Sequence, residues 1–291
     1  MKNNILETIG NTPTVQLKST EFKCNLYAKL EFFNPFGSVK DRAALQIIND
    51  AEKSQKLKKR MRIVEATSGN MGISLCAIGV IKEYKTTIIM PENMSEMRKN
   101  LIKSYGGELI LTDADKGMKG AIEVLNKFDE NIFKAHQFEN MSSVMAHILH
   151  TAPEIDKQMN KKVDAIICGI GTGGTITGIA NYFYQRNVKI IGVEPKESPF
   201  LSKGYSSAHG IQGIGAGFCP KILNINLIDE IMCVSYNEAI SSSKQILNRD
   251  GLFVGISSGA VYAAAKKIAN REEFADKNIV LIFADGGERY L

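Results

Sequence analysis

The sequence predicts an α/β protein with two parts that face each other across a cleft. Short β-branched runs alternate with helix-length segments along most of the 291 residues. Such alternation implies crossover connections and mostly parallel sheets, with sites at the carboxyl ends of the strands. The pattern stops between residues 131 and 162, which are more polar and lack a clear strand, and it resumes at Asp164. We therefore place a domain junction near residues 138–150.

Seven segments have the composition of strands, and several between them have the length and pattern of helices. The predicted strands are Asn25–Phe33, Arg62–Glu65, Thr86–Met90, Glu108–Leu111, Asp164–Cys168, Lys189–Val193 and Asn278–Phe283. The predicted helices include Asp41–Lys53, Gly72–Ile81, Gly117–Phe128, Ala260–Ala269 and one that reaches at least Tyr184.

The composition is that of an ordinary soluble globular protein. Lys and Arg number 36 against 31 Asp and Glu, hydrophobic residues make up 44% and charged residues 23%, which excludes intrinsic disorder. No apolar run approaches the length of about 20 residues that a membrane helix needs. The basic run from Lys53 to Arg62 lacks interleaved aromatics and is interpreted as a solvated loop. We expect a cytoplasmic protein without nucleic-acid or membrane partners.

The five cysteines are odd in number and widely spaced, with no Cys-x-x-Cys pair and no histidine at ligand spacing. A disulfide framework or a zinc site is therefore not expected. Most of the cysteines stand among apolar neighbours, which favours buried small hydrophobic residues over a nucleophile.

A glycine-rich turn follows the apolar strand that ends at residue 168. Its glycines at 169, 171, 173 and 174 let the backbone approach a ligand, and Thr172 and Thr175 add hydroxyls that suit a phosphate monoester. The same glycines satisfy the Gly-x-Gly-x-x-Gly pattern of dinucleotide sites, with Glu194 at the distance of a ribose-binding acid. From this turn alone, phosphate and dinucleotide binding both stay open, with a structural turn as a third interpretation.

A second turn joins a strand to a helix at residues 67–70. Thr67, Ser68 and Asn70 present two hydroxyls and an amide beside the free N–H groups of the following helix, which is a receptor suited to a carboxylate. A simple helix cap needs only one of these residues, so the turn alone is compatible with a cap or a site. Two anion receptors on two halves of the protein indicate a ligand with two anionic ends.

A lysine stands at the start of another helix, where its charge is disfavoured. We expect Ser38 to cap this helix with Asp41 in capping-box spacing, so Lys40 falls in the first helical turn. The positive end of the helix dipole disfavours an ammonium there. A lysine whose charged form is disfavoured is a better nucleophile for imine formation with a carbonyl cofactor. An exposed lysine whose stem covers the loop is the alternative.

A reactive lysine, a phosphate cradle and a carboxylate cradle are the parts needed to hold pyridoxal 5′-phosphate as a Schiff base and to present an amino acid to it. A third small-residue turn, at residues 255–259, offers Ser257 as a partner for the pyridine nitrogen. A serine, unlike an aspartate, does not keep that nitrogen protonated, so the ring is a weaker electron sink. Elimination or replacement at the β-carbon is then favoured over chemistry that needs a long-lived delocalised carbanion.

Several ordered motifs resemble the cysteine synthase (O-acetylserine sulfhydrylase) family of fold-type II pyridoxal-phosphate enzymes. The matching segments are residues 9–13, 34–42, 65–72, 137–140, 171–178, 192–195, 210–220, 254–260 and 287–291. The resemblance implies a tryptophan synthase β-like fold in which each lobe is a mostly parallel twisted sheet flanked by helices. We expect an N-terminal lobe of residues 1–12 and 34–145, a C-terminal lobe of residues 13–33 and 146–291, and the cofactor in the cleft between them.

The resemblance also implies roles for individual residues. Lys40 would form the Schiff base and act as acid and base at the α- and β-carbons, Asn70 would contact the 3′-oxygen of the cofactor ring, and Ser257 its nitrogen. The cofactor phosphate would be held by Gly171, Thr172, Gly173, Gly174 and Thr175. The substrate carboxylate would be bound by Thr67, Ser68, Asn70, Met71 and Gln137. Glu194 becomes a structural residue, which removes the dinucleotide interpretation, and no metal is expected.

The segment from His209 to Phe218 is similar to the branch of the family that uses O-acetylserine, and it has no arginine to receive a phosphorylated serine. We expect O-acetyl-L-serine and sulfide to give L-cysteine and acetate. Met71 stands where the family usually has threonine, which leaves only a backbone N–H there, and Ala152 replaces a usual glycine. The alternative is a cysteine-consuming replacement or elimination that releases hydrogen sulfide, with serine, lanthionine or cystathionine as product.

The partners follow from the same resemblance. The family's cleft receives the C-terminal tail of serine acetyltransferase, which makes that enzyme a candidate partner, and we expect a homodimer. A non-catalytic binding or regulatory protein on the same fold is a hypothesis of another class. The presence of Lys40, Asn70 and Ser257 argues against it.

Overall fold

The computed structural model describes residues 1–67, 69–129 and 132–291, which form two sheets flanked by helices. The strand order is β1-β2-β10-β7-β8-β9 in a six-stranded sheet and β5-β4-β3-β6 in a four-stranded sheet. All strand pairs are parallel except β1 with β2. The strands are β1 (Thr14–Gln16), β2 (Asn25–Leu30), β3 (Arg62–Ala66), β4 (Lys85–Pro91), β5 (Glu108–Thr112), β6 (Ile132–Lys134), β7 (Ala165–Gly169), β8 (Lys189–Pro195), β9 (Glu230–Val234) and β10 (Asn278–Phe283).

The helices cover the segments between the strands. They are α1 (Lys40–Lys53), α2 (Asn70–Lys82), α3 (Glu96–Ser104), α4 (Gly117–Asn126), α5 (Ser142–Ala146), α6 (Ala152–Gln158), α7 (Gly174–Phe183), α8 (Phe200–Lys203), α9 (Tyr236–Asp250) and α10 (Ile256–Ile268). A π-helical turn, His147–Thr151, joins α5 to α6. In the described ranges, no helix has the length and apolarity that a membrane crossing requires.

The α/β prediction is confirmed, and each of the seven predicted strands is present. The last three residues of the first predicted strand, Glu31–Phe33, instead form a 3₁₀ turn, and the helix expected to reach Tyr184 ends at Phe183. The sequence did not predict β1, β6 or β9, and β6 lies in the stretch described above as lacking a strand. All three are edge strands with one neighbour each, and β1 and β6 are only three residues long, which is too short for a clear strand pattern.

The strands of the four-stranded sheet lie within residues 62–134, and those of the six-stranded sheet within residues 14–30 and 165–283. The lobe boundaries given above, at residues 12, 33 and 145, stay a prediction.

The six-stranded sheet is held between two layers of helices. On one face, α10 places Val261 and Ile268 in a cluster with Leu281 of β10. On the other face, α7 places Ile176 and Ile179 in a second buried cluster. Burial of one such side chain contributes about 1.5–3 kcal/mol relative to exposure, so the central strands form a stable base for the loops at their ends.

The parallel order brings several turns to the same edge of this sheet. Leu30 of β2 is paired with Phe283 of β10, and the register continues through β7. The segments that follow these three strands therefore begin side by side, as expected at the carboxyl ends of parallel strands.

A buried ion cluster holds the start of α1 in place. Arg42 donates from Nε to Glu31 Oε2 over 2.6 Å and from Nη2 to Glu154 Oε2 over 2.7 Å. Lys29 Nζ lies 2.8 Å from the same Glu154 oxygen. The side chains of Lys29, Arg42 and Glu31 are 0%, 2% and 0% exposed, and the two cations balance the two carboxylates. This cluster joins α1, the end of β2 and α6.

The charge of Glu154 depends on these partners. Burial alone would raise the pKa of Glu154, but the hydrogen bonds and charges of Arg42 and Lys29 outweigh it and lower the pKa from 4.5 to about 2. A carboxyl group with a lowered pKa in the folded state stabilises the fold at pH values above 4.5. That contribution is lost as the pH falls towards the folded-state value.

We expect Glu154→Gln to lower the free energy of unfolding at neutral pH by about 3–5 kcal/mol, because it leaves two buried cations with one carboxylate. The difference from the unsubstituted protein should shrink as the pH falls from 4.5 towards 2, where the native carboxylate is itself protonated. Urea unfolding followed by circular dichroism at several pH values measures both quantities. A difference that does not change with pH would contradict this role of the charge.

Candidate functional site

A cleft of about 520 Å³ opens between the loops that follow the two sheets. The sequence-predicted site residues that line it are Lys40, Thr67, Asn70, Met71, Gln137, Gly171, Thr172, Gly173, Thr175 and Ser257. Ser68 lies outside the described residues. Gly174 is the first residue of α7 and is not among the residues that line the cleft. It packs against Ser143 instead, since a Cβ on Gly174 would lie 2.4 Å from Ser143 Oγ. The predicted residues thus come together from five separate segments of the chain.

Lys40 is the first residue of α1 and faces the cleft. Its backbone N–H donates to Ser38 Oγ over 3.2 Å. Asp41 Oδ2 accepts from the backbone N–H of Phe36 at 2.8 Å, and Asp41 Oδ1 accepts from Ser74 Oγ at 2.6 Å. The predicted capping box of Ser38 and Asp41 is therefore wrong, because Asp41 closes the turn that begins at Phe36. The prediction that Lys40 lies in the first helical turn is confirmed.

The surroundings of the Lys40 amine disfavour its charge. Burial lowers the pKa of Lys40, and the charge of Asp285 opposes this in part. Cys168 also lies nearby, but burial raises the pKa of its thiol to about 12, so it is uncharged at neutral pH. The lowered pKa agrees with the direction expected from the sequence, although its largest cause is burial.

The glycine-rich turn brings backbone close to backbone after β7. A Cβ on Gly171 would lie 2.3 Å from the carbonyl oxygen of Gly213, so no side chain fits there. Gly173 has φ of +85°, a conformation that glycine adopts without strain. The first N–H groups of α7 have no partner within the helix. Together with the hydroxyls of Thr172 and Thr175, they form a cradle for an anionic oxygen group at the end of the cleft.

A buried histidine that no sequence pattern predicted supports this cradle. His147 lies in the π-helical turn, with Nε2 3.2 Å from Thr175 Oγ1 and Nδ1 2.9 Å from Thr151 Oγ1. Burial lowers its pKa well below the usual value, so the ring is neutral and pairs with the two hydroxyls. A single π turn inside a helix is often found at functional sites, but no sequence pattern singled out this one.

The second predicted turn leads from β3 into α2. Thr67 Oγ1 accepts from the backbone N–H of Gly69 at 3.2 Å, and Asn70 is the first residue of the helix. Although Met71 lines the cleft, its side chain is 1% exposed and packs with Ile47 and Leu75. The side chain therefore belongs to the core.

Gln137 is held beside the same turn by a buried carboxyl group. Its Nε2 donates to the carbonyl oxygen of Ala66 over 2.9 Å, and its backbone N–H lies 3.4 Å from Glu65 Oε1. Burial raises the pKa of Glu65 to about 8, although hydrogen bonds from Gln137 and His136 oppose the shift. The group is therefore largely neutral at pH 7 and adds no negative charge beside a site for a carboxylate.

The two serines at the start of α10 have different surroundings. Ser258 Oγ accepts from the backbone N–H of Ala284 at 3.1 Å and so fixes the segment after β10. Ser257 is 5% exposed and lines the cleft.

Two further polar residues of the cleft, Arg98 and Asp285, were not predicted from the sequence. Arg98 on α3 donates from Nη1 to Gln212 Oε1, lies 3.9 Å from Asp285 Oδ2 and stacks 4.8 Å above the ring of Tyr290. Asp285 is a charged residue just after the apolar strand β10, a signal that could have revealed it. Arg98 lies in an ordinary amphipathic helix, and nothing in the sequence marks it as a cleft residue.

These features fit pyridoxal 5′-phosphate. The amine with a disfavoured charge, the anion cradle of glycines and threonine hydroxyls, and the polar groups of Asn70 and Ser257 all line one cavity. Among the described residues, no cluster of His, Cys, Asp and Glu could hold a metal ion.

Comparisons with known proteins agree with this geometry. The profile of the family described as pyridoxal-phosphate dependent enzyme matches residues 5–285. Cysteine synthase B of Campylobacter jejuni is 46% identical over 292 residues, which cover 99% of this chain and 96% of that protein. The crystal structure of a cysteine synthase from Entamoeba histolytica has a TM-score of 0.95 at 41% identity and covers 100% of this chain and 89% of that one. A hydrogen sulfide-producing enzyme from Fusobacterium nucleatum has a TM-score of 0.97 at 40% identity, with 100% of both chains covered.

Proposed function

Because the chain belongs to the family of pyridoxal-phosphate dependent enzymes and is similar to cysteine synthases along nearly its whole length, we propose that it makes L-cysteine from O-acetyl-L-serine and sulfide. Acetate is the second product. The observation that carries the proposal is one cavity lined by Lys40, the glycine-rich anion cradle, Thr67 and Asn70. A reactive amine between two anion receptors is suited to catalysis, which argues against a non-catalytic binding protein.

Several residues would hold the cofactor. The cradle of Gly171, Thr172, Gly173, Gly174 and Thr175 would bind its phosphate through N–H and hydroxyl groups. Asn70 would donate to its 3′-oxygen, and Ser257 would meet its ring nitrogen. When bound, pyridoxal 5′-phosphate supplies an electron sink for bonds broken at the α- and β-carbons of an amino acid.

The chain's own groups bind the substrate and move the proton. The N–H groups and side chains of residues 67–71, with Gln137, would hold the substrate carboxylate. Lys40 Nζ, whose lowered pKa increases its neutral fraction, would take the proton from the α-carbon and return it later. Met71 contributes its backbone N–H, since its side chain lies in the core.

The position of Arg98 supports O-acetylserine over a phosphorylated serine. Arg98 donates a hydrogen bond to Gln212 and is 2% exposed. Within the described residues, no other cationic side chain is hydrogen-bonded to Gln212. Its guanidinium already faces Gln212, Asp285 and the Tyr290 ring. The Asp285 carboxylate beside it would repel a phosphate dianion. A neutral acetyl ester suits these surroundings better.

We expect the purified chain loaded with pyridoxal 5′-phosphate to form cysteine from O-acetyl-L-serine and sulfide. Lys40→Ala should lower this rate by about a thousandfold, the size of a general acid–base contribution. Lys53→Ala, at the far end of the same helix, is the matched control and should keep the rate. A loaded, unsubstituted chain that makes no cysteine would overturn the proposed reaction.

The second candidate reaction consumes cysteine and releases hydrogen sulfide. It is favoured by the similarity to the hydrogen sulfide-producing enzyme of Fusobacterium nucleatum, which matches over the full length of both chains. In the sequence, this reaction was suggested by Met71, which stands where the family usually has threonine. Because that side chain is buried in the core, it does not by itself alter the groups that face a substrate.

The two reactions are separated by two rates measured on the same preparation. We expect sulfide release from L-cysteine to be at least about tenfold slower than cysteine formation, and Met71→Leu to leave the ratio within about twofold, since volume-conserving core swaps perturb little. Faster sulfide release than cysteine formation would favour the second candidate. A large change of the ratio in Met71→Leu would show that this position controls the reaction.

We also propose that the chain is a homodimer. Met141, Met145 and Leu149 are 54%, 36% and 50% exposed and recur every four residues, forming an apolar stripe on the helical segment that supports the cradle. Exposed apolar stripes of this kind are typical of subunit interfaces. Sedimentation should give twice the mass of one chain, with Met145→Glu shifting it towards one. Tyr184→Glu, an exposed position outside the stripe, is the control.

Serine acetyltransferase is a further proposed partner, because the terminal carboxylate of its tail would suit the turn at residues 67–70. Competition between a synthetic tail peptide and O-acetylserine tests this binding.

We place the reaction in the cytoplasm. All five cysteines are free, which suits a reducing compartment.

A further inference from the structure

Asp285 lines the cleft two residues after the end of β10. Its backbone forms an isolated bridge with Ser38, two residues before Lys40, and its carbonyl oxygen accepts from the N–H of Gly255 at 2.9 Å. The residue is 1% exposed and lines the cleft. Asp285 is thus tied by its backbone to the turn that carries Lys40 and to the turn that carries Ser257.

The side chain of Asp285 reaches Asn70 on the other sheet's side of the cleft. Asn70 Nδ2 donates to Asp285 Oδ2 over 2.7 Å, and Tyr290 Oη donates to the same oxygen over 2.8 Å. Arg98 Nη2 lies 3.9 Å from this oxygen. Asp285 Oδ1 is buried and has no hydrogen-bond partner among the described residues.

A second residue holds the other end of the Asn70 amide. Arg289 Nη1 donates to Asn70 Oδ1 over 2.7 Å, and its Nη2 donates to the carbonyl oxygen of Phe36. A guanidinium only donates hydrogen bonds and a carboxylate only accepts them. The Asn70 amide therefore has one orientation, with its oxygen towards Arg289 and its nitrogen towards Asp285.

This orientation decides what Asn70 can offer a ligand. Nδ2 carries two hydrogens, and Asp285 takes one, so the other remains for a further acceptor. The 3′-oxygen of the cofactor is such an acceptor when it is ionised. With the amide reversed, an oxygen would face an oxygen and the contact would be repulsive.

We propose that Asp285 and Arg289 are positioning residues that lock the Asn70 amide in the orientation needed to donate to the cofactor. The proposal rests on the cofactor shared by both candidate reactions, and not on the choice between them. Asp285 acts through Asn70, and its effect on cofactor binding should therefore depend on the presence of the Asn70 side chain.

A double-mutant cycle tests this dependence. The dissociation constant of pyridoxal 5′-phosphate and the visible absorption of the bound cofactor are measured by titrating the full chain. We expect Asp285→Ala to weaken binding about tenfold, the loss typical of one hydrogen bond to a charged group, and to shift the visible band. In the Asn70→Ala background the same change should weaken binding by less than about twofold.

The control is a buried aspartate with similar partners far from the cleft. Asp156 is 6% exposed and accepts from Tyr182 and Arg186, so Asp156→Ala should leave the dissociation constant within about twofold. Thermal unfolding of each variant shows whether it is folded. If Asp285→Ala does not fold, Asp285→Asn carries the cycle with an expected loss of about threefold, because a neutral oxygen accepts a weaker hydrogen bond.

Independent effects of the two substitutions, multiplying in the double variant, would overturn the proposal, as would unchanged binding in the Asp285 variant. A chain that binds the cofactor but makes no cysteine would instead contradict the proposed function and leave this result standing.

Discussion

The buried ion cluster around Arg42 is the constraint on which the site depends. It lies one half-turn beyond Lys40 on α1, and its two cations and two carboxylates are almost closed to solvent. Buried charges are tolerated only when each has a partner, because an unpaired one carries a large desolvation cost. The start of α1 therefore has little freedom to move relative to β2 and α6. This rigidity keeps Lys40 in the cavity that the cradle also lines, although burial disfavours the charge of its amine.

The same edge of the six-stranded sheet carries most of the site. The turns after β2, β7 and β10 begin side by side because these strands are parallel and in register. The phosphate expected at the glycine-rich turn would be met mainly by backbone N–H groups and hydroxyls. A formal net charge of +5 therefore needs no nucleic-acid partner to explain it. The cysteine thiols are not needed for the chemistry either, since Cys168 beside Lys40 is a buried neutral group.

Charges in the cleft floor are arranged in alternation. Arg98 lies 3.9 Å from the Asp285 carboxylate, and the Asn70 amide links Asp285 to Arg289 by one hydrogen bond at each end. Glu65 nearby is largely neutral at pH 7 because burial raises its pKa. The floor thus orients hydrogen-bond donors towards the cavity with little excess charge of either sign. This balance is compatible with a zwitterionic amino acid as substrate.

The sequence by itself determined the α/β class, the central strands and the turns at residues 67–70, 171–175 and 255–259, because apolar runs, glycines and helix-start residues act locally. It also placed Lys40 in the first turn of a helix. The tertiary structure alone decided which distant residues meet: the edge strands β1, β6 and β9 with their neighbours, His147 behind Thr175, the Met71 side chain in the core, and Arg98 and Asp285 in the cleft. These contacts join residues far apart in the chain. Their energies come from burial and pairing in the folded state, which no local pattern records.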